Sequence, residues 1–230
     1  SYYEDFEIDL TGTCNLSCPL CTRNYEHAKH TVFKKIRTLP EIISGLNEFT
    51  SLKKCFLAGQ VSEPTLYPEF LEFIKYLKNR NISIKLFSNG STRDENFWSE
   101  LAKILTDKDE IHFTICGSTQ ELHSKYRVGS DLQKILKNVK AYKKFNCNDY
   151  CQFIRFKYNE HDEINVKKFD FSYHYTVDSE GDRLKNVKIK EETPDVRPID
   201  SRDKLIKFVL SSKPKETKIE CKWLKNKKIY

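Results

Sequence analysis

Apolar positions along the chain follow two alternating rhythms. Short stretches at 6–10, 54–58, 83–87, 110–116 and 152–158 are apolar throughout or at every second residue, the period of a strand. Between them lie longer stretches with apolar residues three and four apart, the period of a helix facing a core. Helices are predicted from 39 to 49, with Pro40 in the first turn, and over 68–78, 95–105 and 132–145. In the second of these, Phe70, Leu71, Phe73, Ile74 and Leu77 share one face. A short helical segment near 163–169 and a strand near 173–177 complete the series. Strands alternating with helices imply parallel βαβ units. Five or six such units predict an α/β fold, a partial (β/α)6 TIM-type barrel, with a flat doubly wound sheet as the alternative. Beyond residue 180 the rhythm gives way to charged segments with Pro194, Pro198 and Pro214. The chain therefore divides into a core, 1–180, and a C-terminal extension, 181–230, whose helix near 203–210 packs on the end of the barrel.

The loop after the first strand carries Cys14, Cys18 and Cys21 in the spacing C-x3-C-x2-C. Three thiolates can hold three irons of a cubane iron–sulfur cluster and leave the fourth iron open to a ligand. Two other readings of the same residues stand beside this one. Cys18 and Cys21 form a C-x2-C pair that His27 or His30 would complete as a zinc site, or the three thiols are unrelated.

The remaining candidate residues also fall just after strands, the end at which barrels collect their chemistry. After the second strand comes Gly59-Gln60-Val61-Ser62-Glu63-Pro64, and after the third Ser88-Asn89-Gly90-Ser91. After the fourth, Thr114-Ile115-Cys116-Gly117-Ser118-Thr119-Gln120-Glu121-Leu122-His123 leads to Tyr126-Arg127-Val128-Gly129. The fifth strand continues into Tyr158-Asn159-Glu160-His161, and its Arg155 and Lys157 are candidates to line the interior.

Together these motifs resemble the radical SAM superfamily, and within it the enzymes with SPASM or twitch extensions. The resemblance covers residues 5–180. It implies that Cys14, Cys18 and Cys21 bind a [4Fe–4S] cluster whose open iron chelates S-adenosylmethionine. It implies further that Glu63 meets the methionyl amino group, that Ser88 and Asn89 lie near the ribose, and that Thr114 and Arg127 contact the cofactor, Arg127 at its carboxylate. Reductive cleavage would then give a 5′-deoxyadenosyl radical that abstracts hydrogen from substrate. The expected substrate is a peptide or protein, with a small metabolite or nucleoside as the alternative, and the electron donor a flavodoxin or ferredoxin. The sequence departs from the family pattern at Val61, where related segments have glycine, and at Cys116, where they have aspartate. Cys116 is either a catalytic hydrogen donor or a small buried thiol. The stretch from Ile219 through Cys221 to Tyr230 resembles the lead-in to a SPASM or twitch domain that is cut short.

Composition bounds the alternatives. The 230 residues carry 40 Lys and Arg against 33 Asp and Glu, a net charge of +7 spread along the chain. Such a modest excess fits a solvated surface better than a nucleic-acid footprint. A zinc-bearing nucleic-acid-binding module and a barrel retained as a binding scaffold remain the readings outside radical chemistry. Eight cysteines, five of them scattered, fit a reducing compartment. Cys147 and Cys151, with Cys221, form a weak second cluster motif whose alternative is surface thiols. No membrane segment is read, and the expected location is cytoplasmic.

Overall fold

A computed structural model describes residues 4–21, 23, 36–59, 62–145 and 148–178. Six parallel strands form one sheet in the order of the sequence, β1 to β6: Asp5–Glu7, Lys54–Leu57, Ser83–Ser88, Glu110–Ile115, Asn148–Arg155 and Tyr173–Asp178. Each strand pairs with the next, and β1 and β6 are the two edges. A doubly wound sheet needs a point where the strand order reverses. No reversal occurs here, so the chain winds in one direction, as an open segment of a (β/α) barrel.

The intervening helices are α1 (Leu39–Asn47), α2 (Phe70–Asn79), α3 (Glu95–Ile104), α4 (Gln120–Tyr126), α5 (Leu132–Lys143) and a single turn, α6 (Glu163–Val166). Their starts are written in the sequence. Thr38 and Glu41 form a capping box at α1, while Asp94, Thr119 and Asp131 accept backbone N–H bonds at the first turns of α3, α4 and α5. Each such cap contributes about 1 kcal/mol.

The two faces of the sheet differ. Ile84, Leu86, Ile111, Phe113, Cys151 and Phe153 point to the helices and pack with Phe73, Trp98 and Tyr142 in one core. Trp98 and Phe113 rings lie 5.0 Å apart, which makes the α3–sheet contact aromatic. The opposite, concave face bears a ladder of residues in register: Phe87, His112, Tyr150 and Tyr173. Their rings stack at centroid distances of 4.5, 4.5 and 4.6 Å, close to the spacing of the strands themselves. His112 Nε2 lies 3.0 Å from Glu110 Oε2 and its Nδ1 lies 2.8 Å from the Tyr175 hydroxyl. Since the carboxylate can only accept, Nε2 carries the proton and Nδ1 accepts from the phenol.

Three expectations are corrected. The fifth strand runs 148–155, not 152–158, because pairing with β4 begins at Asn148 and the side chain of Asn159 takes the Phe156 amide out of the ladder. Alternation along that strand puts Arg155 on the same face as Cys151 and Phe153. There it approaches Glu163 at 3.4 Å, while Lys157 lies past the strand end in solvent, so neither lines the interior. Cys151 is a fully buried core residue and not a surface thiol. The helix α4 was not anticipated. The segment 181–230, with Cys221, lies outside the described residues, as do Cys147, Val61, His27 and His30. No helix among the described residues is long and apolar enough to cross a membrane.

Candidate active site

The loops at the carboxyl ends of β1 to β5 meet and are bound to one another through polar atoms. The cysteine loop starts it. A turn closed by Cys21 N–H donating to Cys18 O at 3.0 Å brings the second and third cysteines to one side. The Ser17 amide donates to Val128 O at 3.0 Å, which ties this loop to the segment after α4. Cys18 is buried, and Cys14 and Cys21 are half-buried. Burial pushes the Cys14 thiol up, the Leu16 amide opposes the shift, and the charges of Glu63, Cys18 and Cys21 push it further up. The three thiols thus sit within electrostatic reach of each other.

Among the described residues no three His, Cys, Asp or Glu side chains converge tightly enough to hold a single metal ion. His27 and His30, which would complete a zinc site with Cys18 and Cys21, lie outside the described residues. The donor set is all sulfur, which suits iron–sulfur ligation.

Glu63 organises the next two loops. Its amide donates to Thr13 O at 2.8 Å, joining the loop after β2 to the cysteine loop. Gly59 makes the approach feasible: its φ is +60°, and a Cβ there would stand 2.4 Å from Ser62 O. The Glu63 carboxylate is 2 % exposed and accepts four hydrogen bonds. Three fall on Oε1, from Thr65 N at 3.3 Å, Thr65 Oγ1 at 2.7 Å and Ser88 Oγ at 2.8 Å. Oε2 accepts only from Asn89 N, at 2.8 Å, and so keeps an acceptor position. Burial raises the pKa of this carboxyl; the bonds from Asn89, Thr65 and Ser88 oppose it without cancelling it.

Asn89 carries the network back to the cysteines. Its Nδ2 donates to Asn15 Oδ1 at 2.8 Å and lies 3.9 Å from Cys14 Sγ, while Asn15 Nδ2 donates to Ser91 Oγ at 3.0 Å. The turn at Gly90 has φ +69°, and a Cβ there would press on the Phe113 ring at 2.9 Å. From α5, Asn138 Nδ2 donates to Gly90 O at 2.8 Å and Thr92 O at 3.2 Å, fixing that turn from outside.

Arg127 approaches from the other side. Its Nη1 lies 3.8 Å from Cys18 Sγ, and its buried Nε has no hydrogen-bond partner. Cys116, fully buried, lies close enough to Arg127 to interact with it; burial pushes the Cys116 thiol up to about 11, against the pull of the guanidinium. His123, also buried, accepts from Cys116 N at Nδ1 (3.1 Å), so its proton sits on Nε2, which meets Ser130 Oγ at 3.0 Å. Burial and the Arg127 charge hold its pKa down at about 3, so it stays neutral. Gly117 lets α4 come this near, since a Cβ would lie 2.5 Å from Leu122 Cβ.

Glu63, Ser88 and Asn89 are therefore gathered with Cys14, and Arg127 with Cys18. Thr114 stands apart on the concave face, where its hydroxyl donates to Gln152 Oε1 at 3.0 Å. Sequence reasoning missed Asn15, Thr65, His123, Asn159 and Asp162. Asn159 Nδ2 donates to Cys116 O at 2.9 Å and Ile154 O at 3.0 Å. Asp162 accepts from Ser118 Oγ at 2.7 Å and from the Ser118 amide. These two residues bind the loop after β4 to the segment after β5. The signal for them was the Tyr158-Asn159-Glu160-His161 stretch, noticed without a role.

Residues 8–169 match the family model of the Radical SAM superfamily. The chain belongs to that superfamily. Among curated proteins it is similar to the cysteine-type anaerobic sulfatase-maturating enzyme of Clostridium novyi, at 28% identity over 151 residues, 59% of this chain and 39% of that protein. It is also similar to the tungsten-containing aldehyde ferredoxin oxidoreductase cofactor-modifying protein of Pyrococcus furiosus, at 24% identity over 140 residues, 58% of this chain and 37% of the relative. The chain thus spans well under half the length of these relatives. Among solved structures, Streptococcus suis SuiB bound to S-adenosylmethionine matches with a TM-score of 0.63 at 14% identity, covering 90% of this chain and 47% of SuiB. The same protein bound to its precursor peptide SuiA matches with a TM-score of 0.60. These likenesses show the fold, a radical SAM partial barrel.

Proposed function

We propose that this chain is the core of a radical SAM enzyme that modifies a peptide or protein, with Cys14, Cys18 and Cys21 as the ligands of a [4Fe–4S] cluster. One observation carries the reading. Three thiols on a single loop lie beside Asn89 Nδ2, 3.9 Å from Cys14 Sγ, and Arg127 Nη1, 3.8 Å from Cys18 Sγ, with a Glu63 oxygen that keeps one acceptor position and an Arg127 Nε without a partner among the described residues. The bound cluster and S-adenosylmethionine supply a one-electron reductive cleavage and with it a hydrogen-abstracting radical.

The protein's own residues bind and orient. Glu63 Oε2 receives the methionyl ammonium on its remaining acceptor position. The Ser88 hydroxyl is committed to Glu63 and Gly90, so it acts by fixing that carboxylate. Asn89 and Asn15 hold the loops on which the ribose rests. The free Nε of Arg127 meets the carboxylate of the cofactor. Thr114, bonded to Gln152 on the concave face, would contact the bound cofactor from there. Cys116 is fully buried, which favours a packing role over that of a hydrogen donor.

A peptide substrate is supported by SuiB in complex with a precursor peptide and by the sulfatase-maturating relative. On this reading residues 1–180 are the radical core, 181–230 are an extension whose sequence resembles a SPASM or twitch lead-in, and the proposed electron donor is a flavodoxin or ferredoxin. The test is anaerobic iron–sulfur reconstitution followed by reduction with S-adenosylmethionine present. Release of 5′-deoxyadenosine supports the enzyme. A cluster without cleavage supports a scaffold, and uptake of zinc in preference to iron supports a zinc module.

A further inference from the structure

Arg127 has two features that a cofactor-binding role alone leaves unused. Its Nη1 lies 3.8 Å from the sulfur of Cys18, the Cys116 sulfur is within electrostatic range, and the guanidinium carbon stands 5.9 Å from the centre of the Tyr126 ring. None of these is a carboxylate, and no acidic side chain among the described residues pairs with this guanidinium. Neutral donors also stand at the cysteine sulfurs, among them the Leu16 amide at 3.5 Å and the Asn89 side-chain amide at 3.9 Å on Cys14, and a backbone amide at Cys18.

We propose that Arg127 is a positioning residue that sets the reduction potential of the cluster before S-adenosylmethionine binds, by placing beside the Cys18 thiolate a positive charge that no acidic side chain of the described site offsets. This rests on the proposed function above and deepens it. An electron from the external low-potential donor adds one negative charge at the cluster, with no bond broken and no proton moved. A buried cation beside a ligand sulfur favours that added charge, and hydrogen bonds to cluster sulfurs raise the potential. A charge-assisted N–H bond is roughly twice as strong as a neutral one, so Arg127 outweighs Leu16 and Asn89. Burial of Cys18 and Arg127 keeps salt from screening much of the effect. Cys116 matters because a carboxylate in its place would pair with the guanidinium and cancel much of its charge at Cys18.

The experiment is an EPR-monitored redox titration of the anaerobically reconstituted full chain, comparing Arg127→Gln, Arg127→Lys, Cys116→Asp and Cys116→Ser with the unaltered protein. The reduced-to-oxidised ratio at fixed applied potential falls about tenfold in Arg127→Gln, equivalent to about 59 mV for a one-electron couple. Arg127→Lys and Cys116→Ser stay within about threefold of the unaltered chain, and Cys116→Asp falls in the same direction as Arg127→Gln. Should Arg127→Gln fail to fold, Cys116→Asp carries the test. Unmoved ratios in both charge-altering variants, with only the affinity for S-adenosylmethionine reduced, overturn the inference while leaving the proposed function intact. Absence of any cluster signal in the unaltered chain overturns both.

Discussion

The backbone amide of Asn89 donates to Glu63 Oε2 at 2.8 Å and, with Ser88 Oγ on Oε1 and Arg93 Nε on Thr65 O, ties the loop after β3 to the loop after β2. It leaves Glu63 Oε2 with room for one further donor. Replacing Glu63 by Gln keeps the shape but turns one acceptor into a donor that faces Asn89 N–H or the Thr65 and Ser88 hydroxyls. The expected cost is about 1–3 kcal/mol of stability, the price of a buried unsatisfied group, measured by urea denaturation. Affinity for S-adenosylmethionine falls as well, measured by calorimetry on the reconstituted protein.

The raised pKa of Glu63 has a consequence for binding. A carboxyl held up by burial takes its proton at a higher pH than an ordinary one and then loses its charge. Affinity for a ligand carrying an ammonium group therefore weakens on acidification before exposed carboxylates titrate. A binding series over acidic pH checks this; Glu63→Gln abolishes the dependence.

Asn159 is a structural clasp. Its side chain satisfies Cys116 O, Ile154 O and the Phe156 amide, the last at 2.6 Å. Asn159→Ala leaves these buried groups unpaired and costs about 2–4 kcal/mol, from three bonds of roughly 1 kcal/mol each with a desolvation penalty added. Lys157→Ala, two residues away and exposed, changes stability by less than about 0.5 kcal/mol. Denaturation midpoints of the two variants decide it.

His123 makes stability depend on pH. Its folded pKa is depressed to about 3 from 6.5, so between these values the unfolded chain binds the extra proton. Stability contributed by this group is whole above pH 6.5 and declines as pH falls toward 3, with a limiting slope of about 1.4 kcal/mol per pH unit. His123→Gln flattens that portion of the stability profile.

Much of the fold was legible because the two hydrophobic periods are clean where an element is buried on one side. Leu101 and Trp98 on α3, and Ile84 and Leu86 on β3, announce themselves. Where a side chain overrides periodicity the reading slipped. Residues 156–158 continue the strand pattern, yet Asn159 captures the Phe156 amide and ends the ladder earlier. The helix α4 was hidden because its cap, Thr119, and its close contact at Gly117 lie inside a motif read for chemistry. At the site, the cysteines are singled out by their spacing, and Glu63 and Asn89 by the resemblance of their loops to those of radical SAM enzymes. That Ser88 spends its hydroxyl on Glu63, and that Asn15 bridges Asn89 to Ser91, depends on loops meeting across β1 and β3, a proximity no local pattern encodes.

The central claim is that Cys14, Cys18 and Cys21 leave one iron of a cubane without a protein thiolate. Mössbauer spectroscopy of the chain reconstituted with 57Fe, with and without S-adenosylmethionine, tests it most directly. The account predicts a [4Fe–4S] spectrum in which a single iron changes its parameters when S-adenosylmethionine is added, and loss of that cluster when any of the three cysteines is replaced by alanine. A spectrum indifferent to S-adenosylmethionine, or a cluster that survives loss of one of these cysteines, would contradict it.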